Sequence, residues 1–320
     1  VTTVRDVLVD AERRLLQAGV PSPASDASLI VSFVLDVPRS ALFMQSEIES
    51  HQRVRIERLI TQRTTRVPLQ HLLGEAPFRY LSVDVGPGVF IPRPETELLA
   101  EAAIHELRGL MSDQRIVVDL CAGSGAIGLA LATEVDGTRA YAVELSHDAL
   151  PWLHRNVSQF NAELDSHDSS VEVIHADAQF VADPGGALAK LAGTVAVVTC
   201  NPPYIPQDMI PREAEVRNYD PEVALFGGSD GLDVVRGIVR TAAILLKPSG
   251  LVLIEHADTQ GIGAGDKGVP GVLAQMISDP DLSVIIDVPH SQSVWHDILD
   301  RTDLANRPRY TLARKWQGMT

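Results

Sequence analysis

The chain has 320 residues, a formal net charge of −15 at pH 7, and 45% hydrophobic against 22% charged residues, which describes a globular protein of about two domains with room for a sizeable core. The acidity opposes a general phosphate-binding surface, because non-specific attraction to nucleic acid runs through Lys and Arg, so no direct nucleic-acid partner is expected. No apolar run approaches the roughly 20 residues of a membrane span, and Val1-Thr2-Thr3-Val4-Arg5-Asp6 lacks the apolar core of a signal peptide, which predicts a cytoplasmic protein without membrane contact.

Residues 1–75 read as a small helical domain. Val4, Val7, Leu8, Ala11, Leu15 and Leu16 fall near helical spacing, and Gly19-Val20-Pro21 ends that segment. A second helix is predicted from Ser25 to Leu35, stopped before Pro38, and a third from Ile48 to Arg66. Arg53, Arg55, Arg58, Arg63 and Arg66 make a basic strip on the third, read as a solvated face, with docking to an acidic or RNA-bearing partner as the sharper alternative. The domain is read as a substrate-recognition module.

Residues 76–92 are predicted to form a β-hairpin linker, with Phe78–Val85 as one alternating strand and Gly86-Pro87-Gly88 as the turn before Val89–Pro92. Arg93-Pro94-Glu95-Thr96-Glu97 then has the early proline and carboxylates of a helix start.

From Ile116 the pattern alternates strand and helix. The strand Ile116–Leu120 leads into Cys121-Ala122-Gly123-Ser124-Gly125, a small-residue turn where backbone N–H groups can approach a ligand. The next strand ends about 20 residues on at Glu144, where an acid can accept from both hydroxyls of a ribose. A third strand is followed by Asp177, positioned for the exocyclic amine of an adenine. These strand ends imply an adenosine-like cofactor. With no Walker lysine and no pyrophosphate clamp, S-adenosylmethionine fits better than NAD.

The fourth strand, Val195–Val198, delivers Asn201-Pro202-Pro203-Tyr204. Two prolines fix φ and remove two donors, so the turn is rigid and its carbonyls are free to accept. Asn201 adds a side-chain acceptor and Tyr204 an aromatic face, a combination suited to holding a planar NH2 group. The motif resembles the signature of methyltransferases that act on planar nitrogens in DNA, RNA or protein glutamines.

Over nearly its whole length the chain resembles the PrmC/HemK family, the release-factor glutamine N5-methyltransferases. The resemblance rests on Phe90–Leu99, Asp119–Ile127, Asn201–Pro206, Glu222–Asp233, Ile254-Glu255-His256 and Asn306–Arg314. It implies an α/β fold, with a Rossmann-like seven-stranded S-adenosylmethionine-dependent methyltransferase domain over residues 93–320 behind the helical domain. The cofactor would be held by Asp119, Cys121, Ala122, Gly123, Ser124, Gly125, Glu144, Asp177, Ala178 and Asn201. Asn201, Pro202, Pro203 and Tyr204 would hold the substrate, with Asn201, Pro202 and Tyr204 carrying catalysis by position rather than by proton abstraction. The implied substrate is the glutamine of the Gly-Gly-Gln motif of peptide-chain release factors. A nucleic-acid amino group or a ribosomal-protein glutamine are the alternatives.

The chain departs from the family at Cys121 for Gly, Glu144 for Asp and Ala178 for an aromatic residue. Gly261–Gly271 reads as a mobile, glycine-rich insertion. No metal is expected, since Cys121 and Cys200 lack ligand spacing, and the fold's usual strand order would bring these two cysteines together. A monomer is expected.

Overall fold

The computed structural model describes residues 3–45, 47–276, 286, 288 and 290–317. They form two compact units. One comprises the described residues up to Glu75 with Val85–Pro87 and Pro211–Asp220, and the other the remainder.

The first unit is helical. Thr3 and Asp6 exchange hydrogen bonds in a capping box that opens α1 (Val4–Gln17). α2 (Pro23–Leu35) starts on a proline and stops at Asp36 in the left-handed region. α3 (Ser50–Thr64) and the short α4 (Leu69–Leu73), closed by Gly74, complete the bundle. Their apolar faces meet around Leu15, Ile30, Val31, Ile56 and Ile60.

The basic strip of α3 is divided by helical geometry. Arg53, Arg55 and Arg58 are exposed, whereas Arg63 shares the buried face of Ile56, Leu59 and Ile60 and is only 4% exposed. Arg63 Nε donates to Asp26 Oδ2 at 2.7 Å, Nη1 to the Val67 carbonyl at 3.0 Å and Nη2 to Glu215 Oε1 at 2.8 Å. Arg66 Nε donates to the same Glu215 oxygen at 2.7 Å. A segment far along the chain is thereby fastened into this unit by paired charges, which a solvated-face reading does not anticipate.

The second unit opens at Ala76, inside β1 (Glu75–Phe78), which forms a hairpin with β2 (Leu81–Asp84). The predicted single strand is thus two, and Gly86-Pro87-Gly88 lies beyond the hairpin. The turn falls at Arg79-Tyr80 because Arg79 adopts φ 53°, held by its N–H to Glu97 Oε1 at 3.0 Å and by its guanidinium against Glu101 and Glu134. Residues 88–95 carry no regular structure, and α5 begins at Thr96 rather than at the proline (Thr96–Arg108).

The main sheet contains β3 (Ile116–Leu120), β4 (Arg139–Glu144), β5 (Ser170–His175), β6 (Val195–Cys200), β7 (Leu246–Glu255), β8 (Trp295–Thr302) and β9 (Pro308–Lys315). They run in the order β5-β4-β3-β6-β7-β9-β8, parallel except that β9 is antiparallel to β7 and to β8. Every residue of β6 is buried, as expected where helices cover both faces. Those helices include α5, α6 (Ala126–Glu134), α7 (Leu150–Ser166) and the helix Asp233–Leu245. Chain order reverses at β3, with β4 on one side and β6 on the other, so a crevice opens beyond the carboxyl ends of β3 and β6.

Gly261–Gly271 is not an extended loop. Ile262–Lys267 winds as 3-10 turns that lead into the helix Val269–Gln275. The glycines allow close packing: a Cβ on Gly261 would lie 2.3 Å from Asp300 Oδ2, and one on Gly268 would lie 2.6 Å from the Gln260 carbonyl. Among the described residues no helix is long and apolar enough to cross a membrane.

Candidate active site

The turn after β3 is shaped by three left-handed residues, Cys121 (φ 61°), Gly123 (φ 57°) and Gly125 (φ 84°). A Cβ on Gly125 would lie 2.5 Å from Leu153 Cδ1, so glycine is required there by packing as well as by backbone. Gly123 faces open space, with no atom within 4 Å of where a Cβ would stand. Its N–H donates to Glu144 Oε2 at 2.7 Å, and Ser146 N–H donates to Glu144 Oε1 at 2.7 Å. The carboxylate at the end of β4 is therefore oriented toward the turn by one backbone donor on each oxygen.

Two groups hold this turn from beneath. Asp119 is fully buried, accepting from Gly128 N–H on Oδ2 at 3.1 Å and from the Thr199 hydroxyl on Oδ1 at 2.8 Å. Burial pushes its pKa up to about 7, against the pull of those two donors. Its oxygens are engaged by protein, which makes it a brace for the turn. Asn156, also fully buried, donates to the Ser124 carbonyl at 2.9 Å and the Asp84 carbonyl at 3.0 Å while accepting from Asp84 N–H. Nothing in the sequence distinguishes Asn156 from any other polar residue in a helix.

After β5, Asp177 is half-buried, and its Oδ1 accepts from Gln179 N–H at 2.9 Å in a local turn. Ala178 packs in the hydrophobic core with Val143, Val181 and Val198.

β3 and β6 are neighbours with Leu120 opposite Cys200, so Cys121 and Asn201 start adjacent turns. Cys200 is buried and Cys121 half-buried, both free thiols. Burial pushes the Cys200 thiol up, and the neighbouring Cys121 adds to that, in keeping with the expected proximity.

The Asn-Pro-Pro-Tyr turn is clamped by the glycine-rich loop 227–231. Ile205 N–H donates to the Leu225 carbonyl at 2.8 Å, Gly227 N–H to the Ile205 carbonyl at 2.9 Å, and Gln260 Nε2 to the Tyr204 carbonyl at 3.0 Å. A Cβ on Gly227 would lie 2.4 Å from the Pro203 carbonyl oxygen, and one on Gly231 (φ +78°) would lie 2.3 Å from that of Tyr204. The Phe226–Asp233 stretch thus has a structural task, to press backbone against backbone behind the motif.

Asn201 is half-buried and its Nδ2 faces the Thr96 hydroxyl oxygen at 3.4 Å. Cys200 pairs with Ile254 in the parallel strands β6 and β7, which brings Glu255, the last residue of β7, beside Asn201; it is only 1% exposed, and its Oε2 has no hydrogen-bond partner among the described residues. Burial pushes the Glu255 pKa up to about 7; hydrogen bonding with Thr96, the charge of Arg309 and hydrogen bonding with Asn201 oppose this, and Glu95 reinforces it. Burial, followed by the charge of Glu255, also raises the Tyr204 phenol above its ordinary range. The sequence shows Thr96 only in a helix start and a family run, and Glu255 only in a family run. The available signal was an acid ending a strand with the same apolar pattern as those that carry Glu144 and Asn201.

A seven-stranded sheet of this order, with a glycine-rich turn, an acid and an Asn-Pro-Pro-Tyr turn on successive strand ends, defines a methyltransferase. Two family models match the chain, PrmC N-terminal domain over residues 6–74 and Conserved hypothetical protein 95 over residues 74–218. The release factor glutamine methyltransferase of Streptomyces coelicolor is 41% identical over 309 residues, covering 96% of each chain. That of Bifidobacterium longum is 43% identical over 81% of this chain and 88% of its own, and that of Corynebacterium glutamicum 38% identical over 98% and 99%. The chain belongs to the release factor glutamine methyltransferase family.

Proposed function

We propose that this protein transfers a methyl group from S-adenosylmethionine to the side-chain amide nitrogen of the glutamine in the Gly-Gly-Gln motif of peptide-chain release factors, acting in the cytoplasm. The observation that carries the reading is the adjacency of two rigid turns at the β3/β6 crevice, one open at Gly123 beside Glu144, the other presenting Asn201.

The first turn suits the cofactor. Gly123 leaves room where a side chain would intrude, and each Glu144 oxygen accepts from only one backbone N–H, leaving lone pairs for ribose hydroxyls. Cys121, Ala122, Ser124 and Gly125 would form the remaining wall, with Asp177 meeting the base. Bound there, S-adenosylmethionine supplies an activated methyl on a sulfonium.

The second turn addresses the acceptor. An amide nitrogen is a poor nucleophile because its lone pair is delocalised into the carbonyl, so the protein's contribution is position and local electrostatics. Asn201 Oδ1 and the Pro202 carbonyl accept the two amide hydrogens, and Tyr204 packs on the amide plane. Pro202 and Pro203 bring no N–H that could compete for those acceptors. The helical unit serves as the recognition module for the substrate protein.

The Asn201→Ala variant tests this reading. Methyl transfer to a release factor should fall by about 100-fold or more, with cofactor affinity within a few-fold of wild type. Unchanged turnover would contradict the assignment.

A further inference from the structure

For Asn201 to accept from a substrate amide, its Oδ1 must face the substrate and its Nδ2 must face the protein. The two ends of an amide are nearly the same size, so packing alone does not choose between them. Hydrogen-bond partners do.

We infer that Glu255 and Thr96 form a positioning pair that fixes the orientation of the Asn201 amide. This rests on the proposed glutamine methylation. The Thr96 hydroxyl oxygen is 3.4 Å from Asn201 Nδ2; Cys200 pairs with Ile254 in the parallel strands β6 and β7, so Glu255 follows beside Asn201; and Thr96 and Glu255 are buried, at 4% and 1% exposure. Thr96 has one hydroxyl hydrogen. With that hydrogen donated to the Glu255 carboxylate, its oxygen is left only to accept, and an acceptor there admits the Nδ2 end of Asn201 and repels Oδ1. The carboxylate, acceptor-only when ionised, enforces the same choice. A protonated Glu255 can instead donate its O–H to Asn201 Oδ1, which turns the amide the wrong way. Activity therefore requires the ionised carboxylate.

The groups facing Glu255 are Thr96 and Glu95 at the start of α5, Arg309 on β9, and Asn201, Cys200 and Tyr204 at the end of β6. Burial raises its pKa to about 7, so the switch falls in the neutral range. The arrangement also gives the Arg93-Pro94-Glu95-Thr96-Glu97 run a task in the site in addition to starting a helix.

The test uses the full chain, S-adenosylmethionine and a release factor, with turnover measured from pH 6 to pH 9. Wild-type kcat should rise to a plateau with a midpoint at about pH 7. Glu255→Gln keeps an acceptor oxygen but cannot ionise, and should lose the acidic limb while retaining part of the activity. Glu255→Leu should lower kcat by about 100-fold, the penalty typical of a misplaced catalytic group, with cofactor affinity within threefold. Thr96→Ala should fall in kcat more than in KM, and Thr96→Ser should restore it. A limb near pH 7 that persists in Glu255→Gln overturns the inference, including where Glu255→Leu fails to fold. A wild-type enzyme that transfers no methyl to the release factor overturns the proposed function instead.

Discussion

The Thr199 hydroxyl donates to Asp119 Oδ1 at 2.8 Å, joining the strand that ends in the glycine-rich turn to the strand that ends in Asn201. Both residues are fully buried, so the bond is made where water cannot replace it. It sets the glycine-rich turn and the Asn-Pro-Pro-Tyr turn on one rigid base.

Thr199→Val retains the shape of the side chain and removes that donor. A loss of about 1–3 kcal/mol in stability is expected, since a buried acceptor is left unmade. The Asp119 pKa, already about 7, should rise further, because Thr199 is one of the groups holding it down. The penalty, measured by denaturant unfolding, should be larger at pH 8, where the wild-type carboxylate is ionised, than at pH 6.

Gly231→Ala should perturb the Asn-Pro-Pro-Tyr motif and leave the glycine-rich turn after β3 intact. At φ +78° and with a Cβ 2.3 Å from the Tyr204 carbonyl oxygen, the substitution must displace the Asn-Pro-Pro-Tyr backbone. Turnover should drop by about 100-fold while cofactor affinity stays near wild type. Gly193→Ala, at φ +69° but with nothing within 4 Å of the added Cβ, should cost about 1–2 kcal/mol of stability and leave turnover unchanged. Equal kinetic effects in the two variants would refute the clamp.

Much of this arrangement was legible in the chain. The period-3.6 apolar faces of α1 to α3, the alternation of strands and helices after Ile116, and the polar residues ending β4 and β6 follow from local chemistry that tertiary contacts do not override. The hairpin turn is not legible locally because it depends on Arg79 in a left-handed conformation, and what holds it there, Glu97, Glu101 and Glu134, lies on α5 and α6. Arg63 reads as solvated from sequence because its partner Glu215 is distant in the chain, and a charge on a helix does not announce a distant carboxylate. Asn156 is silent for the same reason: its hydrogen bonds go to Ser124 and Asp84, far from it in the chain.

Acid should loosen the helical unit through Glu215. Burial alone would raise its pKa, but hydrogen bonds from Arg66 and Arg63 outweigh that and bring it down from 4.5 to about 2. A depressed folded pKa contributes stability above the unfolded value, lost as pH falls from about 4.5 to about 2. Asp119 and Glu255 act oppositely: with folded pKa values raised to about 7, their contribution is complete in acid and lost as pH rises toward neutrality. Glu215→Gln should cost about 1–3 kcal/mol at pH 7, partial exposure screening the pair, and reduce the acid transition reported by a probe in the helical unit.

The central claim is tested most directly by incubating the purified protein with isotope-labelled S-adenosylmethionine and a release factor, then locating the label by mass spectrometry of the proteolysed substrate. Label should appear on the amide nitrogen of the Gly-Gly-Gln glutamine, and vanish when that glutamine is replaced or when Asn201→Ala enzyme is used. Label that persists on the glutamine-replaced release factor, or that is found only on a nucleic acid in a competition reaction, would contradict the account.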